Sequence, residues 1–137
     1  MIGIAVSTYN ANITDRILEG AVQTLKDAGY AEEQITIVKV PGAWELALAA
    51  RRLLDDENCN GVITLGAVIR GETTHDQHIN RAVSTALMDL MIQTRKPVGF
   101  GLLTCNTLEQ AIHRAGGNVG NKGVETAQAV LAMLPNA

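Results

Sequence analysis

The sequence predicts an α/β protein with three layers, in which helices cover both faces of a four-stranded parallel sheet. Segments with strand-like and helix-like patterns alternate along the chain, which is typical of right-handed β–α–β crossovers. The strand-like segments are short apolar runs rich in β-branched residues, as expected for strands buried on both faces. The chain has 137 residues, enough for one sizeable core, and we assign residues 1–137 to a single domain.

The four candidate strands are the apolar runs of the sequence. They cover residues 2–7, 34–40 and 60–69, and the fourth begins directly after Pro97 with the sequence VGFGLLT. A Pro-Gly pair ends the second strand, as turn-forming residues commonly do.

The segments between and after these strands carry apolar residues at helical spacing. The predicted helices cover residues 13–30, 43–57, 76–94, 108–116 and 123–134. Regular alternation of this kind predicts a flavodoxin-like sandwich, and the natural strand order for a doubly wound sheet of this length is 2-1-3-4.

Composition and charge exclude several classes of function. The net charge is −3 with both signs interleaved, so no basic run suggests nucleic-acid binding. The N-terminus lacks the features of a signal peptide, and no apolar run approaches the roughly 20 residues of a membrane span. Cys59 and Cys105 have neither metal-binding nor redox spacing, and we expect free thiols in a reducing cytoplasm.

The helix predicted over 76–94 carries more apolar surface than contact with one sheet requires. Between residues 86 and 92, Asp89 is the one polar residue. A helix that lies on a sheet needs a single apolar stripe. Either this helix is deeply buried, or it packs on its own sheet and on a neighbouring subunit as well; we favour the second interpretation.

Unusual residues follow the predicted strands at their carboxyl ends, where ligands bind in open parallel sheets. Tyr9 follows the first strand and Trp44 follows the second. Aromatic side chains in these loops either stack on a flat ligand or only pack the loops.

The segment 71–74, Gly-Glu-Thr-Thr, leads into the third predicted helix. Backbone N–H groups and hydroxyls at a helix N-terminus bind anions, although ordinary capping by Thr73 or Thr74 is the alternative. His75 starts this helix, whose positive end favours the neutral imidazole that accepts a proton; a structural role is the alternative. His75 and His78 could face one metal, but no third ligand is evident, so we predict no metal site.

Two cations, Arg114 and Lys122, flank a glycine-rich turn near the end of the chain. The segment is superficially similar to a phosphate loop, but its glycine–lysine spacing is not that of a P-loop. A solvated helix end is the alternative.

Taken together, these segments resemble the lumazine synthase family from Ile2 to about Leu134. The most specific pieces are VPGAWEL at 40–46, LGAVIRGETTH at 65–75, and PVGFGLLT, LEQAIHRAG and GNKG between 97 and 123. The resemblance implies the joining of 5-amino-6-(ribitylamino)uracil to 3,4-dihydroxy-2-butanone 4-phosphate, with release of phosphate, in riboflavin biosynthesis. It also implies catalysis by positioning, anion binding and proton transfer, without a metal or organic cofactor.

The resemblance implies a role for individual residues of this chain. His75 matches the family's proton-transfer histidine, Tyr9 the aromatic that stacks on the pyrimidine, and Arg114 the charged partner of the phosphate. Glu45 would bind the ribityl hydroxyls. The remaining implied contacts are Asn10 beside Tyr9, the backbone of Ala43 and Trp44, the uracil-reading backbone of Ala67, Val68 and Ile69, and the phosphate donors Glu72 and Thr73.

The resemblance further implies a homopentamer with each site between adjacent subunits. Phe100 and Lys122 match residues that the neighbour contributes, and Glu125 matches an acidic residue paired with that lysine. The helix over 76–94 would line the central channel, in agreement with its surplus of apolar surface.

Two departures from the family pattern affect these expectations. Asp76, Gln77 and His78 replace an aromatic, an acidic and a second aromatic residue, which affects the rate more than the type of reaction. The first core strand begins almost at Met1, without the preceding strand of shell-forming members. We therefore favour a free pentamer, or a pair of pentamers, over a sixty-subunit shell, although the turn at 116–123 has the length found in shell formers.

Three other functions share these features. A pentamer of this fold could bind flavins or lumazines without turnover. An archaeal-type riboflavin synthase shares the fold and would act on lumazine alone. A structural scaffold would need only the assembly.

Overall fold

The computed structural model describes residues 1–70, 75–117 and 120–135 and has the predicted three-layer α/β architecture. The parallel sheet has the predicted order β2-β1-β3-β4. Its strands are β1 (Ile2–Ser7), β2 (Ile35–Val40), β3 (Gly61–Ile69) and β4 (Val98–Cys105). The helices are α1 (Ala11–Asp27), α2 (Leu46–Leu54), α3 (His75–Thr94), α4 (Leu108–Arg114) and α5 (Lys122–Ala132).

The core consists of one apolar cluster on each face of the sheet. Alternate side chains of a strand point to opposite faces, so Ile4 of β1 and Ile63 of β3 pack toward α1 and α5. Ala5 and Val62 belong to the second cluster, beneath α2 and α3. All six residues of β1 are buried, because this central strand is covered on both faces. The layers thus leave the carboxyl ends of the strands as the open edge of the sheet.

Glycines let α5 approach its neighbours closely. A Cβ atom on Gly123 would collide with the backbone carbonyl of Ile17 in α1. A Cβ atom on Gly99 of β4 would lie 2.5 Å from Thr126 of α5. Larger residues at these positions would force the helix off the sheet and off α1.

The helix expected at 13–30 covers Ala11–Asp27, and two further segments differ from the sequence-based prediction in the type of structure they form. The helix expected at 43–57 starts as a 3-10 turn at Ala43–Glu45, and its α-helical part ends at Leu54. The helix expected to reach residue 116 ends at Arg114, and Ala115–Gly117 (β5) pairs antiparallel with Gly120–Asn121 (β6). Gly116 and Gly120 have φ values of 105° and 106°, in the left-handed region that interrupts a helix and favours glycine.

Helix α3 is not deeply buried in the single chain. Its sheet-facing side is covered, but Met88 and Ile92 are 53% and 69% exposed. These two residues are four positions apart and form one apolar stripe on the outer face of the helix. The first of the two sequence interpretations, deep burial, is therefore wrong. No helix within the described ranges is long and apolar enough to span a membrane.

Candidate active site

A cleft of about 370 Å³ opens beyond the carboxyl ends of β1, β2 and β3. Its walls come from the loop after β1, the 3-10 turn after β2, the end of β3 and the first turn of α3. Seven of the predicted site residues line it: Tyr9, Ala43, Trp44, Ala67, Val68, Ile69 and His75. The topology explains this grouping, because parallel strands bring their carboxyl ends to the same edge of the sheet.

Tyr9 and Trp44 project their rings toward solvent at the mouth of the cleft. Tyr9 is 72% exposed and Trp44 is 64% exposed. The backbone below them is held firmly, since Thr8 N–H donates to Val40 O at 2.8 Å and Tyr9 N–H donates to Pro41 O at 3.0 Å. An aromatic ring that packs a loop is buried, so their exposure argues against the loop-packing alternative and leaves two ring faces free for a flat ligand.

Asn10 holds the loop rather than lining the cleft. It occupies the N-cap position of α1 with a φ of 62°, and its Nδ2 donates a hydrogen bond to Ala67 O at 3.1 Å instead of its side chain capping the helix. This contact ties the start of α1 to the end of β3. It also occupies one lone pair of a carbonyl that the sequence analysis assigned to recognition of uracil, so the second lone pair is the one left for a ligand.

The Glu45 side chain likewise forms a hydrogen bond within its own turn. Its Oε1 accepts a hydrogen bond from Gly42 N–H at 2.9 Å, which stabilises the 3-10 turn that carries Trp44. The side chain lines a neighbouring depression beside β2 and α2, together with Leu48 and Arg52, and not the cleft itself. Both carboxylate oxygens keep acceptor capacity, and a ligand in the cleft would have to extend into this depression to reach them.

The first turn of α3 places His75 and Asp76 in the cleft wall. His75 is exposed, whereas Asp76 is buried and its Oδ1 has no hydrogen-bond partner within the described ranges. Glu72 and Thr73, predicted to bind phosphate, lie outside the described residues. In the part of the chain that the structure describes, no group of three or more His, Cys, Asp and Glu residues is arranged to hold a metal ion.

Arg114 lies in a second depression, of about 310 Å³, at the carboxyl end of β4. It shares this depression with Cys105 and does not line the main cleft of its own chain. Within the described ranges Arg114 forms no salt bridge, so its charge is available to an anion. Burial raises the pKa of the Cys105 thiol above its ordinary value of 9.0, and the positive charge of Arg114 opposes part of this shift. A protonated thiol is a poor nucleophile.

Phe100 and Lys122 do not reach the cleft of their own chain. Phe100 pairs in register with Thr64 and lies five residues before Cys105, the last residue of β4, so it is about 16 Å below the carboxyl end of the strand. Its ring is 41% exposed on the edge strand of the sheet. Lys122 starts α5 beyond the β5–β6 pair, and Glu125 is exposed one turn later.

Three residues that were not predicted to bind substrate also line the cleft: Gly42, Asp76 and Ile79. Ile79 follows His75 by four residues and therefore lies on the same side of α3. That spacing could have indicated Ile79 in advance. The burial of Asp76 had no such signal, because an acidic residue in the first turn of a helix is usually exposed.

The fold and the cleft are those of an α/β protein with a small-molecule site beyond the ends of a parallel sheet. The chain matches the family model described as 6,7-dimethyl-8-ribityllumazine synthase over residues 1–136 and belongs to that family. A 6,7-dimethyl-8-ribityllumazine synthase of Rhodopirellula baltica is 56% identical over 97% of this chain and 86% of its own length. The protein of the same description from Aquifex aeolicus is 45% identical over 96% of this chain and 85% of its own length.

Proposed function

We propose that this chain condenses 5-amino-6-(ribitylamino)uracil with 3,4-dihydroxy-2-butanone 4-phosphate and releases phosphate, as a transferase of riboflavin biosynthesis. The observation that carries this proposal is the match to one enzyme family over residues 1–136. The cleft supports it, because its exposed aromatic rings and peptide edges suit a flat heterocycle with hydrogen-bonding groups.

The pyrimidine occupies the cleft in this proposal. Tyr9 offers a ring face for stacking, and the backbone from Ala67 to Ile69 offers peptide groups to the edge of the uracil. The 5-amino nitrogen then forms a C=N bond to the carbonyl carbon of the second substrate, and water leaves. Loss of phosphate then leaves a ketone at the neighbouring carbon after tautomerisation. The ribitylamino nitrogen adds to this carbonyl, and a second water leaves as the ring closes.

His75 transfers protons in these steps. It starts α3 at the cleft wall, and its exposed side chain can be reached by a bound substrate. Imine formation, phosphate loss and ring closure each move protons between nitrogen, carbon and oxygen. One positioned imidazole can both accept and return a proton in such a sequence.

Arg114 binds the phosphate. Its guanidinium forms no salt bridge to the described residues, and a charge-assisted bidentate contact to phosphate is the interaction that this group makes best. Because Arg114 does not line the cleft of its own chain, we propose that it meets the pyrimidine site of an adjacent subunit.

The assembly that joins these two parts is, in this proposal, a homopentamer, alone or as a pair. The apolar stripe of Met88 and Ile92 on α3 and the exposed Phe100 on β4 supply an uncovered apolar surface for the neighbour. Phe100 and Lys122 would then enter the neighbouring site. Measurement of the mass in solution tests this, and a monomer at assay concentration would contradict it.

The two-substrate assay tests the reaction. Purified protein given both substrates should form a product with the absorbance and fluorescence of a lumazine, together with inorganic phosphate. Lumazine supplied alone is the control, since formation of riboflavin from it would assign the chain to the archaeal-type riboflavin synthases instead.

One observation favours a second candidate, a pentamer that binds flavins or lumazines without turnover. The residue that follows the proposed catalytic histidine is the buried Asp76, where the family usually has an aromatic side chain. Binding of riboflavin without product formation in the two-substrate assay would support this candidate over the enzyme.

We also propose a cytoplasmic location. Cys59 and Cys105 are both unpaired and buried, a state that a reducing compartment preserves. Cell fractionation tests this, and recovery of the protein outside the cytoplasm would contradict it.

A further inference from the structure

Asp76 is a buried acidic residue in the wall of the cleft. Its side chain is only 7% exposed, and its Oδ1 accepts no hydrogen bond from the residues of the described ranges. It lies in the first turn of α3 between His75 and Ile79, and both of these residues also line the cleft. The Asp76 Oδ1 has thus lost water without gaining a donor from the described protein.

A purely structural role does not explain this burial. An acidic residue in the first turn interacts favourably with the helix dipole, but an exposed residue gains this benefit while it stays hydrated. The free-energy cost of burying a carboxylate oxygen without a donor exceeds the stabilisation by the helix dipole. Residues that serve ligand binding commonly reduce the stability of the free protein in this way.

The charge of Asp76 distinguishes the two substrates of the proposed reaction. A carboxylate repels a phosphate ester, and Arg114, the proposed phosphate ligand, lies in the separate depression at the end of β4. The ribitylaminouracil is uncharged and carries N–H groups on its ring and amino substituents and O–H groups on its ribityl chain. Each of these groups is a donor that Asp76 lacks in the free protein.

We infer that Asp76 is a substrate-binding residue whose Oδ1 accepts a hydrogen bond from an N–H or O–H group of the pyrimidine substrate. This inference rests on the proposed function, because it takes that pyrimidine as the occupant of the cleft. The acceptor would hold the pyrimidine beside His75, the next residue along the chain.

The test compares Asp76→Asn and Asp76→Leu with an Asp27→Asn control. Asn keeps an acceptor oxygen but loses the charge, and Leu loses both. Asp27 is exposed at the last residue of α1, at the end of the sheet opposite to the cleft. The dissociation constant of 5-amino-6-(ribitylamino)uracil alone is measured by titration of the intact assembly, and the unfolding midpoint is measured by thermal denaturation.

The dissociation constant should rise by about tenfold in Asp76→Asn, because the hydrogen bond is kept but its acceptor is no longer charged. It should rise further in Asp76→Leu, because the acceptor itself is lost. The unfolding midpoint should stay constant or rise in both variants, because an unpartnered buried charge is removed. Asp27→Asn should leave the dissociation constant unchanged.

Two results would overturn the inference. One is a dissociation constant within about threefold of the wild-type value in both Asp76 variants. The other is weaker binding accompanied by a lower unfolding midpoint in Asp76→Leu, which would make the carboxylate structural. If the wild-type protein neither binds the pyrimidine nor forms product, the proposed function fails instead, and the two failures are thereby distinguished.

Discussion

Single residues at the cleft divide into those that hold the backbone and those left open to a ligand. Asn10 and Glu45 use their side chains on nearby main-chain groups, at 3.1 Å from Ala67 O and 2.9 Å from Gly42 N. Tyr9 and Trp44 make no such contact within the described residues and stay largely exposed. The hydrogen bonds of Asn10 and Glu45 thus hold the loops in place, and the rings of Tyr9 and Trp44 remain available to a ligand.

The charge of Arg114 should act on one substrate more than on the other. Arg114→Ala should raise the KM for the butanone phosphate about 10-fold to 100-fold, because a charge-assisted contact is lost, and should change the KM for the pyrimidine much less. Steady-state kinetics with each substrate varied in turn measure the two effects. Arg114→Lys is the control, since it keeps the charge but loses the bidentate geometry. Equal losses for both substrates would contradict a role in phosphate binding.

The raised pKa of the Cys105 thiol predicts a loss of stability in alkali. Because burial keeps the folded-state thiol protonated above its ordinary pKa of 9.0, the unfolded chain releases this proton first as the pH rises. The contribution to stability is therefore complete below pH 9.0 and decreases as the pH rises toward the folded-state pKa. Urea unfolding at pH 8 and pH 10 should give a smaller pH dependence for Cys105→Ala than for the wild type. An identical pH dependence in the two proteins would argue against this contribution.

At the scale of secondary-structure elements, the contact between α1 and α5 depends on the residues at the start of α5. Gly123 lets the backbone of Ile17 approach without a side chain in between. Asn121 caps α5, because its Oδ1 accepts hydrogen bonds from Gly123 N–H at 2.8 Å and Val124 N–H at 3.1 Å. Its Nδ2 donates to Arg16 O of α1 at 3.2 Å, so one side chain joins two helices.

Substitution of Asn121 should separate the contribution of the α5 cap from that of the hydrogen bond to α1. Asn121→Ala removes the cap and the interhelical bond and should lower the free energy of unfolding by about 1–2 kcal/mol. Asn121→Asp keeps the cap but cannot donate to Arg16 O, so it should fall between Ala and the wild type. Chemical denaturation of the three proteins measures the order. An Asp variant as unstable as the Ala variant would contradict this order.

At the scale of the whole molecule, the exposed stripe on α3 should control assembly. Met88→Lys combined with Ile92→Lys should leave the helical circular dichroism intact, because both side chains are largely exposed in the single chain. The double variant should nevertheless dissociate, since two charges cannot be buried without partners. Met133→Lys is the control, because Met133 is a methionine outside α3 that is even more exposed than Met88, at 71% against 53%. Mass in solution is the measurement, and an intact oligomer in the double variant would exclude this surface from the interface.

A site shared between subunits can be tested by complementation. An assembly in which all subunits carry His75→Gln, or all carry Arg114→Ala, should have no active site with both residues intact. Mixed assemblies with equal amounts of both chains would contain some interfaces with an intact His75 from one subunit and an intact Arg114 from the next. Random mixing should restore about one quarter of the wild-type activity per site. A site complete within one chain would instead give no recovery.

The fold followed from local patterns. The apolar run at 2–7 was predicted as a strand and is β1 with the same bounds, because periodicity and burial are linked within a single element. The strand order also followed, since short connections and right-handed crossovers leave few topologies. The β5–β6 pair was missed, as strands of two or three residues are too short to carry a period.

The placement of side chains depended on contacts that no local pattern records. Asn121 bonds to Arg16, a residue 105 positions away in the sequence. The Glu45 side chain accepts a hydrogen bond from Gly42 N–H in its own loop. Asp76 is buried beside His75, and its Oδ1 has no protein donor in the described ranges. Residue order thus specified which segments become strands and helices and which of their ends meet, because these features depend on hydrophobic periodicity and chain connectivity. Folding in three dimensions specified which polar groups are satisfied and which are left for a ligand, because hydrogen bonding and desolvation depend on neighbours brought together from distant parts of the chain.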